Sequence, residues 1–179
     1  MAWTFISNTI GRPPITQVDS ATTSTIGGTT VTTYAWTLGD IQKAKDPTYG
    51  AGEFIYLRGI TSTAVGSWAG YQPGVFTTVL AVADGKYPLA VAMGACDTST
   101  KSGWYQISGI AVAKGLTSIT HTSGNLYLTS TAGSLDDASV IGDAVHNARK
   151  TTTVHVVGTF TDTYAISRPW SANRVSLSN

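Results

Sequence analysis

The sequence predicts an all-β fold, a β-barrel or compact sandwich of short antiparallel strands with an extended N-terminal arm. Residues that suit a pleated, half-buried surface are abundant, with 8 Tyr, 5 Trp and 4 Phe among 179 positions. Ser and Thr make up about a quarter of the chain, above ordinary usage, and 19 Gly supply turn positions. Short runs of alternating apolar and polar residues recur between Gly- and Pro-marked breaks, the pattern of a sandwich or barrel.

Residues 1–33 read as the arm. They hold Pro13-Pro14, Gly27-Gly28 and the tract Ser20-Ala-Thr-Thr-Ser-Thr25, with no sustained period of 2 or 3.6. Trp3, Phe5, Ile6, Ile10, Ile15 and Val18 dot this segment with apolar groups that a solvating tail would not need. Such an arm either folds back onto its own core or docks on another subunit. Trp3, Phe5, Ile6, Ile10 and Ile15 are the expected interface residues, anchoring the arm to a neighbouring subunit or to the coat protein.

The core is expected over residues 34–170. Val31–Leu38 alternates and predicts a strand, and Asp40–Pro47 suggests a single helical turn capped by Asp40 and stopped by Pro47. Glu53–Arg58 is the clearest strand, dense in β-formers and bounded by Gly59. Further strands are expected over 65–72, 75–83, 88–95, 103–114 with a break at Gly109, 125–131, 140–149, 154–160 and 164–168. The segment Ala138–Arg149 could pass for an amphipathic helix, but Gly142-Asp143 reads as a turn, so strand is preferred. Residues 171–179 form a tail.

Charge narrows the function classes. Eleven Lys and Arg against ten Asp and Glu give a net charge of +1, and only 12% of residues are charged. A polyphosphate backbone needs a basic face, which this chain has little material to build, so nucleic acid is not an expected partner. No stretch reaches the ~18 apolar residues of a membrane helix, and no signal-like start is present, so assembly in a cytoplasm is expected. A surface this poor in charge suits contact with neighbours better than free solution.

Catalytic and metal signals are weak. Cys96 is the single cysteine, which excludes an intramolecular disulfide. It could pair with His121, His146 or His155 as an activated thiolate, but it ends the apolar run Leu89–Cys96 and reads as a buried structural residue. The histidines lack metal-binding spacing. Asp136, Asp137 and Asp143 offer oxygen ligands without the pattern of a calcium loop, and read as solvated turn residues. No cofactor or metal is expected. Trp36, Trp68, Tyr71, Trp104, Tyr105, Tyr127, Tyr164 and Trp170 could stack on sugars or anchor a protein interface, though most sit in strand-like runs and read as core. Trp36, Trp68, Tyr71 and Trp170 are the weaker interface candidates.

Longer motifs carry a resemblance. Leu38–Ile60, Ser62–Ser67, Pro88–Met93 and Gly103–Gly109, continued by Thr131–Ala138, Gly142-Asp143 and Arg168-Pro169-Trp170, resemble virion structural proteins of tailed bacteriophages, of the capsid decoration (cement) type. The likeness spans roughly residues 10–170. It implies a β-barrel-like domain on the outer surface of a phage head, bound to the major capsid protein, without catalysis or cofactor. The expected function is to stabilise junctions between coat subunits as a homo-oligomer, a trimer being the expected state. A carbohydrate-binding β-module of a tail fibre or surface protein is the alternative, and a cysteine hydrolase using Cys96 a further one.

Overall fold

Phe54-Ile-Tyr-Leu57 is apolar at every position rather than at alternate ones, so this segment needs cover on both faces. The computed structural model describes residues 1–7, 10–116, 125–151 and 161–171, and no helix occurs among them. The strands are β1 (Thr4–Phe5), β2 (Val18–Ser20), β3 (Thr22–Ile26), β4 (Thr29–Thr33), β5 (Ile41–Asp46), β6 (Gly50–Arg58) and β7 (Trp68–Tyr71). They continue as β8 (Thr78–Leu80), β9 (Leu89–Ala92), β10 (Lys101–Lys114), β11 (Leu126–Leu128), β12 (Leu135–Asp136), β13 (Ala144–Lys150) and β14 (Thr161–Ser171).

All pairings between these strands are antiparallel. The main sheet runs β1-β5-β6-β10-β14-β13-β11-β12, and β9, β7 and β8 branch from β10. Its ends do not join, so the fold is sandwich-like and not the closed barrel that the sequence also allowed. β10 organises the molecule. One of its flanks pairs with β6, while the other meets β2, β9 and β14 in succession. Gly109, expected to break this strand, bends it instead. The register shifts between Gln106 and Ser108, and at Gly109 φ is +101°, where a Cβ would also meet the Ala51 carbonyl oxygen at 2.5 Å.

Both faces of β6 are covered. Ile55 and Leu57 pack with Tyr105, Ile107 and the β7–β9 residues Ala69, Ala90 and Ala92. Phe54 and Tyr56 face the other way with Trp104, Met93, Ala44 and Ile15. A further cluster joins Trp68, Leu89 and Val91 to Leu126, Leu128, Val145, Tyr164 and Ile166.

Three expectations change. Asp40–Pro47 is not a helical turn: Ile41–Asp46 is strand, paired with β6 from Ile41↔Ile55 to Asp46↔Gly50. Asp46, not Asp40, caps the bend, accepting the amides of Thr48 at 2.8 Å and Tyr49 at 3.1 Å. The strand expected over 31–38 ends at Thr33. Beyond it the Trp36 indole N–H donates to Asp40 at 2.6 Å, and Trp36 and Leu38 pack on the Phe54 face. Finally, residues 1–7 and 10–20 are woven into the main sheet through β1–β5 and β2–β10. The strand expected over 154–160 and the tail after 171 lie outside the described residues.

Candidate docking surface

The five arm anchors divide by face. Trp3 meets Phe54 edge-on at 4.9 Å, and Phe5 meets Trp104 at 5.4 Å with the Arg12 guanidinium 4.2 Å above its ring. Ile15 is buried, and the Trp104 indole donates to the Pro13 carbonyl at 3.0 Å. These three side chains complete the protein's own core. Ile6 and Ile10 point outward, 62% and 97% exposed.

The weaker candidates also separate. Trp68 is fully buried, edge-on to Tyr164 at 5.5 Å, with its indole donating to the Lys114 carbonyl. It offers nothing to a partner. Trp36 is half-buried, and Trp170 is exposed and stacked on His146 at 4.5 Å. Tyr71 is half-buried and lines an open groove of about 370 Å³ with Tyr87, Pro73, Pro88, Gln72 and Lys86.

Between the two halves of the arm's path stands a feature that period-2 reading passed over. β3 and β4 form a separate two-stranded hairpin in which every residue is exposed. Gly27 and Gly28 make its two-residue turn, with φ of +58° and +82°. Left-handed values at both positions define the type I′ turn, whose twist matches that of the flanking strands. The register runs from Ile26↔Thr29 to Thr22↔Thr33. Thr23, Thr25, Thr30 and Thr32 therefore share one face, while Ser24, Ile26 and Val31 share the other with Thr22, Thr29 and Thr33.

The root of the hairpin at its β3 end is hydrogen-bonded to the main sheet. The Ala21 amide donates to the Thr100 carbonyl at 2.7 Å, and the Tyr56 hydroxyl bonds Asp19 at 3.1 Å and Ser102 at 2.9 Å. Burial pushes the Tyr56 hydroxyl well above its ordinary pKa, and the nearby Asp19 carboxylate adds to this, so it stays protonated as a donor. No charged residue occurs between Asp19 and Asp40. An isolated two-stranded ribbon is marginal in water, and natural edge strands usually carry charge or proline against chance pairing. This one carries neither.

The residues considered for chemistry sit differently. Cys96 is fully buried, and burial pushes its thiol up to about 11. Asp143 is buried and accepts the Asp84 amide at 2.7 Å, and Asp136 accepts the amide of Asp137 at 2.8 Å. Among the described residues no group of three or more His, Cys, Asp and Glu side chains could hold a metal ion. His121 and His155 lie outside the described residues. Comparison with protein-family models, with curated proteins and with solved structures found no match to this chain.

Proposed function

We propose that this protein is a non-enzymatic virion component, a decoration protein that binds the outer surface of a tailed-phage head and bridges junctions between major capsid subunits. The observation that carries the reading is the β3–β4 hairpin, an uncharged, exposed pairing element on a hydrogen-bonded base. Such an element adds buried area and main-chain hydrogen bonds wherever a partner offers a strand or a flat face. Repeated at each junction of a lattice, that gain stabilises the shell by mass action, because binding favours the intact state. The sequence resemblance to cement proteins points to the same task. The Cys96 thiol, raised and sealed from solvent, is unlike an activated nucleophile and supports a role without catalysis.

The test is co-sedimentation of the purified protein with expanded phage heads, for the full chain and for a variant in which residues 22–33 are replaced by a short turn. Binding of the first and loss of binding by the second, with unchanged circular dichroism, is the expected result. Failure of the full chain to bind heads would overturn the proposal.

A second reading is favoured by the Tyr71–Tyr87 groove. Four of the eight aromatics that could have stacked on sugars are buried core, but half-buried Tyr71 and, beside it, Tyr87 flank a groove edged by Gln72 and Lys86. Under this reading the chain is a carbohydrate-binding module. Binding of glycans to the isolated chain, abolished by Tyr87→Ala, would favour it over the capsid reading.

A further inference from the structure

The outer edge of β4 is symmetric in sequence. Its sequence, Thr29-Thr30-Val31-Thr32-Thr33, is the same read in either direction. A two-residue hairpin turn closes on a hydrogen-bonded pair, here Ile26↔Thr29, and such pairs alternate along an antiparallel ribbon. Thr29, Val31 and Thr33 therefore direct their amides and carbonyls inward to β3, while Thr30 and Thr32 direct theirs outward. No other strand pairs with that edge among the described residues.

We propose that β4 pairs antiparallel with β4 of a second copy of this chain, about a two-fold axis through Val31. Thr30 then faces Thr32 of the second copy as a hydrogen-bonded pair, and Thr32 faces its Thr30 in the same way, so each outward donor and acceptor is used. Val31 meets its own equivalent as the close, non-hydrogen-bonded pair between them, and Thr29 meets Thr33. Every cross-strand neighbour is thus Thr on Thr or Val on Val, favourable pairs with no like charges opposed. The other edge lacks this symmetry. In Thr22-Thr-Ser-Thr-Ile26 the equivalent arrangement would set Thr22 against Ile26. Two-fold pairing also uses the β4 edge of both copies at once, so that this contact cannot itself propagate. The result is a four-stranded sheet, β3-β4-β4-β3, bridging two molecules. The inference concerns the free protein and stands whether or not the capsid reading holds.

The test uses the full chain. Sedimentation equilibrium across a concentration series should show a dimer in exchange with monomer. Thr32→Pro removes an outward amide that the hairpin itself does not use, and should raise the dissociation constant about tenfold or more while leaving the circular dichroism spectrum, and the melting profile at concentrations where both proteins are monomeric, unchanged. Register is read by Val31→Cys. In a non-hydrogen-bonded pair the two Cα atoms lie about 4.5 Å apart, within disulfide range, so oxidised glutathione should link this variant into a covalent dimer. Ile26→Cys is the control, because residue 26 is the more exposed, at 71% against 44%, yet sits on the outer strand of the paired sheet. A wild-type monomer throughout the series, an oligomer unmoved by Thr32→Pro, or Val31→Cys linking no faster than Ile26→Cys would each overturn the proposal.

Discussion

The indole N–H of Trp104 donates to the carbonyl of Pro13 at 3.0 Å, joining the beginning of the long strand β10 to a segment 91 residues earlier. Both groups are buried, and Ile15 packs beside them in the same cluster as Phe54 and Tyr56. Residues 1–16 therefore belong to the energetics of the core. Ile15→Ala should cost about 2–5 kcal/mol by emptying a buried aliphatic site. Deleting residues 1–16 should cost more, because Trp104 would lose its acceptor and the Phe54 face its cover. Chemical denaturation of the two variants against the full chain measures both. A truncated protein that melts with the full chain would mean that this contact carries no stability.

That outcome was partly legible in the sequence. The apolar groups of the arm were legible but their partner was not: with no period to place them, Trp3, Phe5 and Ile15 were expected on a neighbour, and they instead cover the Phe54 face of β6. Alternation found β6 and β10 because their side chains are large and their boundaries carry Gly. It could not find β3 and β4, since a tract with Thr on both faces has no period to detect. Strands as short as β2 and β12 fall below any window. Asp40 misled because an Asp before a polar run resembles a helix cap. Its carboxylate instead serves the Trp36 indole and the Gln42 side chain. Of the exposed surface, the apolar residues Ile6 and Ile10 and the Gly27-Gly28 pair were legible, but not that the residues beside that pair form a ribbon.

Asp46 ties the first residues to the β5–β6 turn. Burial alone would raise its carboxyl, but the amides of Thr48, Ala2 and Tyr49 outweigh that and hold it below the ordinary carboxylate range. The Ala2 amide donates at 2.6 Å. A carboxylate lowered on folding contributes stability above its unfolded pKa of about 3.9, and that contribution is lost as pH falls through the lower folded value. Asp46→Ala should therefore be less stable than wild type at neutral pH, and the gap should close in acid. Parallel melts from pH 7 downward measure it, and a gap independent of pH would show that charge is not what Asp46 supplies.

Lys150 and Asp162 meet at 3.1 Å with both side chains almost wholly buried, at the β13–β14 side of the sandwich. Removing one member leaves a charge sealed in a medium that solvates it poorly, so Lys150→Met or Asp162→Leu should each cost about 3–5 kcal/mol. Replacing both together removes the desolvation penalty along with the attraction, and should fall much closer to wild type. Denaturation of the two single variants and the double variant forms the cycle. Costs that simply add would show that the two groups do not act as a pair.

Cys96 offers a measurement that bears on function as well as stability. Its thiol is enclosed beside Tyr105, and burial lifts its pKa to about 11, so almost none is thiolate at neutral pH. The thiolate is the reactive species, and modification should therefore be slow in the native protein and fast once it unfolds. The sign of the pH effect follows from the same shift. An unfolded chain ionises its thiol near pH 8.5 while the folded chain keeps the proton, so the contribution of Cys96 is intact below about 8.5 and declines as pH rises toward the folded value. Cys96→Ala has no thiol to ionise, and the stability difference between it and wild type should shift against wild type over that interval. Chevron or equilibrium denaturation at pH 7, 9 and 10.5 would follow this, with a thiol-directed chromophore reporting accessibility at pH 7. Labelling of native protein at the rate of a free peptide thiol would contradict the enclosure, and would return the cysteine-hydrolase reading to consideration.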